Sequence, residues 1–328
     1  MDQPLATIIV VTHNSARWLA RMATTVAAQT ETRWRLVLVD NASRADERPK
    51  LADLPPSSSL IQSEVNLGFA AANNRAAQDA DTPYLVFLNP DAFPEPTWLA
   101  ELIATAERHP NAVAIGSTQI RADCDVFDGT GDVMHASGIA YRSSYGRPCS
   151  APPPLGETFS ACAAAMLVRR EAFEAVGGFD ESFFCFFEDV DLGFRLRLAG
   201  GRILQSPDAI VAHVGGGSTG VRSDFADFHG ARNRVWTFVK CMPPLLFWSL
   251  LPAHLLATTL LVTRSAFDGR GAPWRGFLAG IASAGSIWNT RRTIQRTRKI
   301  RTAEVARMLA WDPRSVLDRR PVIRTLQD

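Results

Sequence analysis

Apolar residues along this chain form short continuous runs, and these runs alternate with stretches of helical period. Runs rich in β-branched residues are typical of strands that are buried on both faces of a parallel sheet. The predicted strands cover residues 6–12, 34–39, 60–61, 84–88, 112–116, 161–168, 203–204 and 209–214. Because helical segments separate most of these strands, the pattern predicts an α/β fold with a doubly wound, mostly parallel sheet.

The segments between the strands predict helices that cover such a sheet. The first helix begins after Ser15, a favourable N-cap residue, and places Leu19 and Val26 on one face. Further helices are predicted over residues 70–80, 97–108, 170–176 and 188–199. Residues 119–157 lack periodicity and are rich in Gly, Ser and Pro, so we expect a long loop over the active face. Residues 215–220 predict a glycine loop.

Polar residues follow three of the predicted strands at the points where the strands end. Thr12 and Asn14 follow the first strand, Asp40 follows the second, and Asn89 and Asp91 follow the strand at 84–88. Ligands of open α/β sheets bind beyond the carboxyl ends of the strands, so these side chains should converge on one crevice. Asp and Asn also begin ordinary turns, which explains any single strand end. Three such ends in one sheet favour a binding site.

The stretch from Phe183 to Arg195 is the most unusual part of the chain, because four phenylalanines precede three acids. Carboxylates are costly to place beside so many aromatic rings unless something pairs or uses them. Asp189 lies where a helix N-terminus would keep it ionised and directed at a cleft, so we predict that it is a general base. Glu188 is assigned to the acceptor side as its partner, and Asp191 to a structural role in the first helical turn.

Two residues that follow strands of the same sheet, Asp91 and His213, predict a divalent cation site. A carboxylate and an imidazole with few other protein ligands fit Mg²⁺ or Mn²⁺ completed by the phosphates of a substrate. A lone His after a strand is usually structural, so only the pair carries this prediction. The chain has no GxxxxGK[ST] loop and no GxGxxG after its first strand, which disfavours ATPases and NAD-dependent enzymes.

A bound diphosphate and one general base together predict group transfer from a nucleotide-activated donor. The cation would neutralise the charge that grows on the leaving diphosphate, and Asp189 would take the proton of an attacking hydroxyl. A glycosidase needs a second carboxylic acid to protonate its leaving oxygen, whereas a metal-bound nucleotide leaves without one. A single base with in-line displacement implies inversion at the anomeric carbon.

The character of the chain changes at about residue 225. Residues 243–262 are almost uncharged and reach the lower length of a membrane span, but Pro252 and His254 would make it a poor one. A second, weakly apolar helix is predicted over residues 274–288. Its aromatic and basic flanks favour interfacial attachment to an anionic membrane surface. A buried hairpin of a soluble protein and a true span are the alternatives.

This change divides the chain into a predicted catalytic domain, residues 1–224, and a C-terminal helical region, residues 225–328. The net charge of +2 argues against a nucleic-acid partner. Five cysteines without a CxxC spacing argue for a reducing compartment. No basic and apolar leader precedes the first strand. We therefore predict a cytoplasmic protein that is peripheral at the inner face of the cytoplasmic membrane.

In their order along residues 6–240, these motifs resemble those of the family 2 inverting glycosyltransferases of GT-A fold, and within them the rhamnosyltransferase-like branch. The motifs are Thr-His-Asn at 12–14, Val-Asp-Asn-Ala-Ser at 39–43, Asn-Leu-Gly-Phe-Ala at 66–70, Leu-Asn-Pro-Asp-Ala at 88–92, Gly-Gly-Phe-Asp-Glu at 177–181 and Glu-Asp-Val-Asp-Leu at 188–192. His213 matches a metal ligand of related enzymes, and Arg232-Asn233-Arg234 matches a downstream motif of the branch.

The resemblance implies roles for individual residues of this chain. The implied nucleotide-sugar site consists of Thr12, Asn14, Asp40, Asn41, Asn66, Gly68, Asn73 and Asn89. Asn89 stands where the family often has an acid, so the metal is assigned to Asp91 with His213. Arg195 and Arg232 are placed on the acceptor side.

The implied reaction moves a sugar, rhamnose or a related one, from a dTDP- or UDP-sugar to a hydroxyl of a glycan or polyprenyl-linked saccharide. Such a reaction belongs to the synthesis of cell-surface polysaccharides. One alternative is a non-catalytic nucleotide-sugar-binding or membrane-associated scaffold protein with a degenerate site, which Asn89 alone favours. Another is a nucleotidyltransferase, which would want a basic, glycine-rich loop after the first strand, and that loop is absent here.

Overall fold

A computed structural model describes residues 3–151, 153–215 and 223–326 of the chain, and most of the predicted glycine loop lies outside these residues. The chain folds around one large β-sheet. The strands of the described residues are β1 (Ala6–Thr12), β2 (Trp34–Asn41), β3 (Ser58–Ser63), β4 (Tyr84–Leu88), β5 (Ala92–Pro94), β6 (Ala112–Arg121), β7 (Phe127–Gly129), β8 (Asp132–Met134), β9 (Ala140–Arg142), β10 (Gly156–Glu157), β11 (Ala165–Arg169) and β12 (Arg202–His213).

The strand order of the sheet is β10-β12-β6-β11-β4-β1-β2-β3. Strands β4, β1, β2 and β3 are parallel, as the alternating pattern predicts. Strand β11 enters between β4 and β6 and is antiparallel to both, which makes the sheet mixed. Because β12 is parallel to β6, its carboxyl end lies at the same edge of the sheet as those of β1, β2 and β4. The topology therefore gathers four strand ends along one edge.

Helices cover both faces of the sheet and continue beyond it. Those in the described residues are α1 (Ala16–Ala27), α2 (Gly68–Gln78), α3 (Trp98–Arg108), α4 (Arg170–Ala175), α5 (Glu188–Leu198), α6 (Asp224–Cys241), α7 (Pro244–Phe267), α8 (Ala272–Ala282), α9 (Ala284–Thr297), α10 (Thr302–Met308) and α11 (Arg314–Asp318). One hydrophobic cluster joins α1 and α3 to one face of the sheet. Another joins α2, α4 and α5 to the opposite face. This layering follows from strands that are apolar on both sides.

Two predicted features of the chain differ from the structure. The short strands predicted at 203–204 and 209–214 form one strand, β12, whose register shifts between Gln205 and Ile210. The prediction of a long loop over residues 119–157 is wrong. This segment contains the end of β6 and four short strands, and residues 127–138 are buried. Its polar residues are buried through mutual hydrogen bonds, such as that between Thr130 and Ser143. Apolar periodicity is therefore missing although the segment is ordered.

The C-terminal helices pack against α5 and the motif region that precedes it. A third hydrophobic cluster contains Phe183 and Phe194 of the motif region together with side chains of α6 to α10. Helix α7 buries one stripe, which includes His254 and Thr258, and exposes a second apolar face. Among the described residues, α7 is the one helix that is long and apolar enough to cross a membrane. Length and composition alone do not distinguish a span from an amphipathic or buried helix.

Candidate active site

The carboxyl ends of β1 and β2 form the floor of the crevice. Thr12 and Asp40 are register partners, and both side chains are buried. Asp40 accepts a hydrogen bond from the backbone nitrogen of Ser43 at 3.1 Å, so its carboxylate is held at the strand end. The hydroxyl of Thr12 is buried without a partner among the described residues. Asn14 adopts a positive φ of 51° and binds the backbone nitrogen of Arg44 through Oδ1.

The predicted nucleotide residues between β2 and α2 are bound to one another. Asn41 donates to Asn66 Oδ1 at 2.9 Å and to the carbonyl oxygen of Gly68 at 3.1 Å, and its Oδ1 accepts from the nitrogen of Leu67 at 2.8 Å. These three bonds make Asn41 the support of the turn that begins α2. Asn73 is buried and donates to the carbonyl oxygen of Phe69 within α2, which is an intrahelical contact. Both polar atoms of the Asn41 side chain are thus used within the turn.

Gly68 joins this turn to the aromatic and acidic motif. Its φ is +81°, and an added Cβ would lie 2.6 Å from the ring and the carbonyl oxygen of Phe184. At the same place, the backbone nitrogen of Ala70 donates a hydrogen bond to the carbonyl oxygen of Phe184 at 3.1 Å. A side chain at position 68 would therefore separate the two segments.

The predicted metal residues are brought together. The Nε2 atom of His213 lies 3.4 Å from Asp91 Oδ1 and 3.4 Å from Asn89 Nδ2. Strand β5 pairs with β12 so that Ala92 is opposite His213, which fixes the separation of the two residues. Residues 3–151, 153–215 and 223–326 contain no group of three or more His, Cys, Asp or Glu that could hold a metal. One carboxylate and one imidazole fit a divalent cation that takes its other ligands from a bound diphosphate.

Asp128 is a part of this site that the sequence analysis missed. Its Oδ2 lies 2.8 Å from His213 Nδ1, and the same carboxylate is paired with Arg142. A carboxylate on the far nitrogen of a metal-binding His orients the ring and directs the Nε2 lone pair at the metal position. Burial lowers the pKa of His213, but its hydrogen bonds to Asp128 and Asp91 outweigh burial and raise the pKa. Protons and a cation therefore compete for Nε2.

The short segment of Ala163 and Ala164 links Asp189 to Asn89, beside the predicted metal residues. The Oδ2 atom of Asp189 accepts from the backbone nitrogen of Ala163 at 3.2 Å, and its Oδ1 accepts from Val190 at 2.8 Å. The neighbouring Ala164 carbonyl oxygen accepts from the backbone nitrogen of Asn89 at 2.9 Å. Asp189 is half-buried in the first turn of α5, as predicted.

Glu188 and Asp132 are two further carboxyls close to Asp189. Burial, with the charge of Asp189 second, raises the pKa of Glu188 well above its usual value. The same two causes raise the pKa of Asp132. Each side chain has one carboxyl oxygen that is buried without a partner among the described residues. The surroundings thus favour the neutral acid at both positions. The predicted acceptor-side role of Glu188 stays a prediction.

The loop before Asp189 has an unusual backbone. Phe184, Phe186 and Phe187 have φ values of 65°, 66° and 67°, in the left-handed region that bulky residues avoid. Each such residue costs on the order of 1–3 kcal/mol and persists only where its surroundings enforce it. Strained loops of this kind are concentrated at functional sites. The aromatic stretch therefore forms a constrained backbone segment in addition to its contribution to the hydrophobic core.

The structure places Arg195 in the protein interior and not beside the crevice. Its Nε donates to Asp191 Oδ2 at 2.7 Å, and the other Asp191 oxygen lies 2.7 Å from the ammonium of Lys240. Asp180 completes this buried cluster through Lys240 at 2.5 Å. Asp191 thus has the structural role that the sequence analysis assigned to it. Arg195 belongs to the same ion cluster, because the helical spacing from Asp191 pairs the two side chains.

Arg232 is half-buried at the middle of α6 and faces the aromatic loop. Its guanidinium donates to the carbonyl oxygens of Ser182 at 3.3 Å and Phe183 at 3.0 Å, and it stacks over Trp236 at 4.1 Å. These contacts attach α6 to the start of the motif. An acceptor role for Arg232 stays a prediction.

Comparison with known proteins agrees with this architecture. The sequence profile described as Glycosyl transferase family 2 matches residues 7–177, more than half of the chain. An N-acetylglucosaminyl-diphospho-decaprenol L-rhamnosyltransferase of Mycobacterium tuberculosis is 32% identical over 242 residues, covering 65% of this chain and 77% of that protein. The O-antigen biosynthesis protein RfbC of Myxococcus xanthus is 30% identical over 227 residues, covering 64% of this chain but only 17% of its own length.

Two solved structures share the fold. GalNAc-T7 with UDP, GalNAc and Mn²⁺ superimposes with a TM-score of 0.58 at 17% identity, covering 73% of this chain and 48% of that structure. The mannosyltransferase PcManGT of Pyrobaculum calidifontis, with GDP-Man and Mn²⁺, has a TM-score of 0.54 at 18% identity, covering 88% of both chains. The mixed sheet of this chain has the GT-A fold of these two glycosyltransferases, which confirms the predicted fold class. The chain belongs to glycosyltransferase family 2.

Proposed function

We propose that this enzyme transfers rhamnose or a related sugar from a dTDP- or UDP-sugar to a hydroxyl of a lipid-linked saccharide, with inversion at the anomeric carbon. Family membership favours an enzyme over a scaffold protein, and a relative that is a rhamnosyltransferase acting on a decaprenol-linked sugar supports rhamnose as the sugar and a lipid-linked acceptor. A place in the synthesis of cell-surface polysaccharides agrees with the O-antigen biosynthesis protein among the relatives.

The observation that carries the proposal is the position of Asp189 relative to the metal residues. Asp189 accepts from Ala163, while the adjoining Ala164 accepts from Asn89, so base and metal site flank the same two residues. A donor whose diphosphate is bound near Asp91 and His213 then presents its anomeric carbon towards Asp189. The half-buried carboxylate can accept the proton of an acceptor hydroxyl as its oxygen attacks.

The remaining roles follow from the crevice. Thr12, Asn14 and Asp40 face the nucleoside, with Asn41, Asn66, Gly68 and Asn73 shaping the turn around it. Mg²⁺ or Mn²⁺ at Asp91 and His213 would neutralise the charge on the leaving diphosphate. Asn89, whose amide lies beside His213, contacts the sugar nucleotide.

We further propose that the enzyme works at the inner face of the cytoplasmic membrane. Residues 225–328 would then supply the membrane contact and residues 1–224 the catalysis. Helix α7 supports interfacial attachment over a span. The Nδ1 atom of the buried His254 of α7 donates a hydrogen bond to the backbone carbonyl oxygen of Ser137 at 2.9 Å, and the ring stacks on Phe238 at 4.0 Å, so one face of the helix is held by protein.

The substitution Asp189→Asn tests the base assignment. It keeps the size of the side chain and removes the proton acceptor, so transfer from dTDP-rhamnose to a short-chain GlcNAc-diphosphoprenol should fall by roughly 10²–10⁴-fold. Binding of dTDP with Mn²⁺, measured by calorimetry, should be unchanged. Asp123→Asn, at an exposed ion pair with Arg121, is the matched control. Full transfer activity of the Asp189 variant would refute the proposed base.

A further inference from the structure

Asn233 is a fully buried amide in α6 that faces the strained loop. Its Nδ2 donates to three backbone carbonyl oxygens, those of Phe183 at 3.1 Å, Cys185 at 2.9 Å and Phe186 at 2.7 Å. Two amide hydrogens thus serve three acceptors, so one of the hydrogens is shared. The Oδ1 atom accepts from Arg232 Nε at 2.9 Å, which fixes the orientation of the amide.

The three carbonyl groups belong to a strained segment, whose backbone conformation needs stabilising contacts from its surroundings. Phe184, Phe186 and Phe187 all have positive φ, and the bonds of Asn233 span the first two of them. Phe187 is the N-cap residue of α5, and its carbonyl oxygen accepts the first helical bond, from the nitrogen of Asp191. The conformation of this segment therefore determines where α5 begins and where its first turn points.

We propose that Asn233 is a positioning residue for the base: it holds residues 183–187 in the one backbone conformation, with positive φ at three phenylalanines, that directs Asp189 at the acceptor hydroxyl. The inference rests on the proposed function, because it assigns a role through Asp189. Asn233 itself touches no reacting atom. Its amide acts at a distance by selecting one conformation of the loop.

The geometry favours positioning over simple packing. A side chain that only filled space would not need three carbonyl contacts within 3.1 Å, all to one short and strained loop. Arg232 adds contacts to Ser182 and Phe183, so the same helix holds the start of the loop as well. Small displacements of a catalytic group are costly, since an error of about 1 Å can reduce a rate by about 10²-fold.

The first experiment compares Asn233→Ala and Asn233→Ser with Gln29→Ala in the full-length enzyme. Gln29 is also a buried amide with three backbone contacts, to Thr25, Glu95 and Leu99, but it lies between α1 and α3. Hydrogen–deuterium exchange of residues 183–191 should increase in Asn233→Ala and not in Gln29→Ala. The serine variant keeps one donor and should exchange at an intermediate rate. Unchanged exchange in both Asn233 variants would overturn the proposal.

The second experiment measures transfer from dTDP-rhamnose to the same GlcNAc-diphosphoprenol. Asn233→Ala should lower kcat by about 10²-fold with little change in the KM of the donor, whereas Gln29→Ala should leave kcat unchanged. Adding Asn233→Ala to Asp189→Asn should cause no further loss, because a positioning residue has no effect once its base is gone. A multiplicative loss in the double variant would overturn positioning. Full activity of Asp189→Asn alone would instead refute the proposed base.

Discussion

At the scale of single residues, the proposed metal site depends on Asp128, a side chain that is not one of the proposed ligands. Asp128 binds the Nδ1 side of His213 and leaves Nε2 directed at Asp91 and Asn89. It also keeps its own charge: burial raises the pKa of Asp128, but Arg142 and His213 outweigh burial and hold the pKa below its usual value. An ionised Asp128 strengthens the basicity of the ring it orients.

The substitution Asp128→Asn should therefore change both the strength and the pH dependence of metal binding. A cation binds the neutral ring, so affinity falls as pH drops through the pKa of His213, which the two carboxylates raise. Removing one carboxylate should lower this pKa and move the acidic loss to lower pH. At alkaline pH the affinity for Mn²⁺ should weaken by about tenfold or more.

Calorimetric titration of Mn²⁺ in the presence of dTDP, between about pH 6 and 8, measures both effects. The control is Asp123→Asn, which removes an exposed carboxylate near the end of β6. Equal pH profiles for the wild type and the Asp128 variant would contradict the role of Asp128. A shift without loss of affinity would show that charge, and not orientation, is its contribution.

Whether the sequence reveals the role of a residue depends on how far along the chain its partner lies. Asp189 and Asp91 lie at the end of a helix or strand, which local pattern reveals. Asp128 meets His213 across 85 positions and Asn233 meets Phe183 across 50, so neither pairing has a local signal. Arg195 is a different case. Its spacing of four residues from Asp191 can be read from the sequence, but the burial of the pair cannot.

At the scale of elements, α6 and α8 approach closely because of glycine. A Cβ added at Gly276 would lie 2.1 Å from the carbonyl oxygen of Phe228, and one at Gly280 would lie 3.0 Å from that of Arg232. The second contact lies one residue from Asn233. The packing of α8 thus fixes the position of α6, the helix whose side chains contact residues 183–187.

The substitution Gly276→Ala should force the two helices apart and lower the free energy of unfolding by about 1–3 kcal/mol. Gly230→Ala is a matched control on α6, because no described atom beyond its own stretch of helix lies within 4 Å of the added Cβ. Alanine is the better helix former there, so this control should raise stability by up to about 1 kcal/mol. Urea unfolding followed by circular dichroism measures both. Equal destabilisation by the two changes would argue against close packing at Gly276.

Sequence pattern predicted most elements of the sheet, since β1 and β4 are apolar throughout and their runs are local. It did not reveal β5, which has three residues, or the antiparallel direction of β11, because strand direction depends on long-range connections. The prediction for residues 119–157 was wrong for a different reason. Their strands are too short for a period to emerge, and buried polar contacts replace the apolar pattern.

At the scale of the whole molecule, α7 shows two opposite faces. Its inward stripe carries Phe247, His254 and Val262, which are buried against the rest of the chain. Its outward face leaves Trp248 64% exposed and Leu256 63% exposed, and only 28% of its most apolar window is buried. An apolar face of this size on a surface otherwise rich in charge indicates an interaction site. The proposed membrane attachment assigns that face to the lipid interface.

The double substitution Trp248→Ser with Leu256→Ser should weaken binding to anionic phospholipid vesicles by about 100-fold, since each side chain loses its transfer into the interface. Exposed arginines of α7 and α9, such as Arg264 and Arg292, predict that binding also weakens with salt and on neutral vesicles. Leu51→Ser with Leu317→Ser is the matched control, because both leucines are exposed outside α7 to α9. Vesicle co-flotation measures all three proteins. Wild-type binding by the α7 variant would contradict interfacial attachment, and resistance of the bound wild type to alkaline extraction would indicate a span instead.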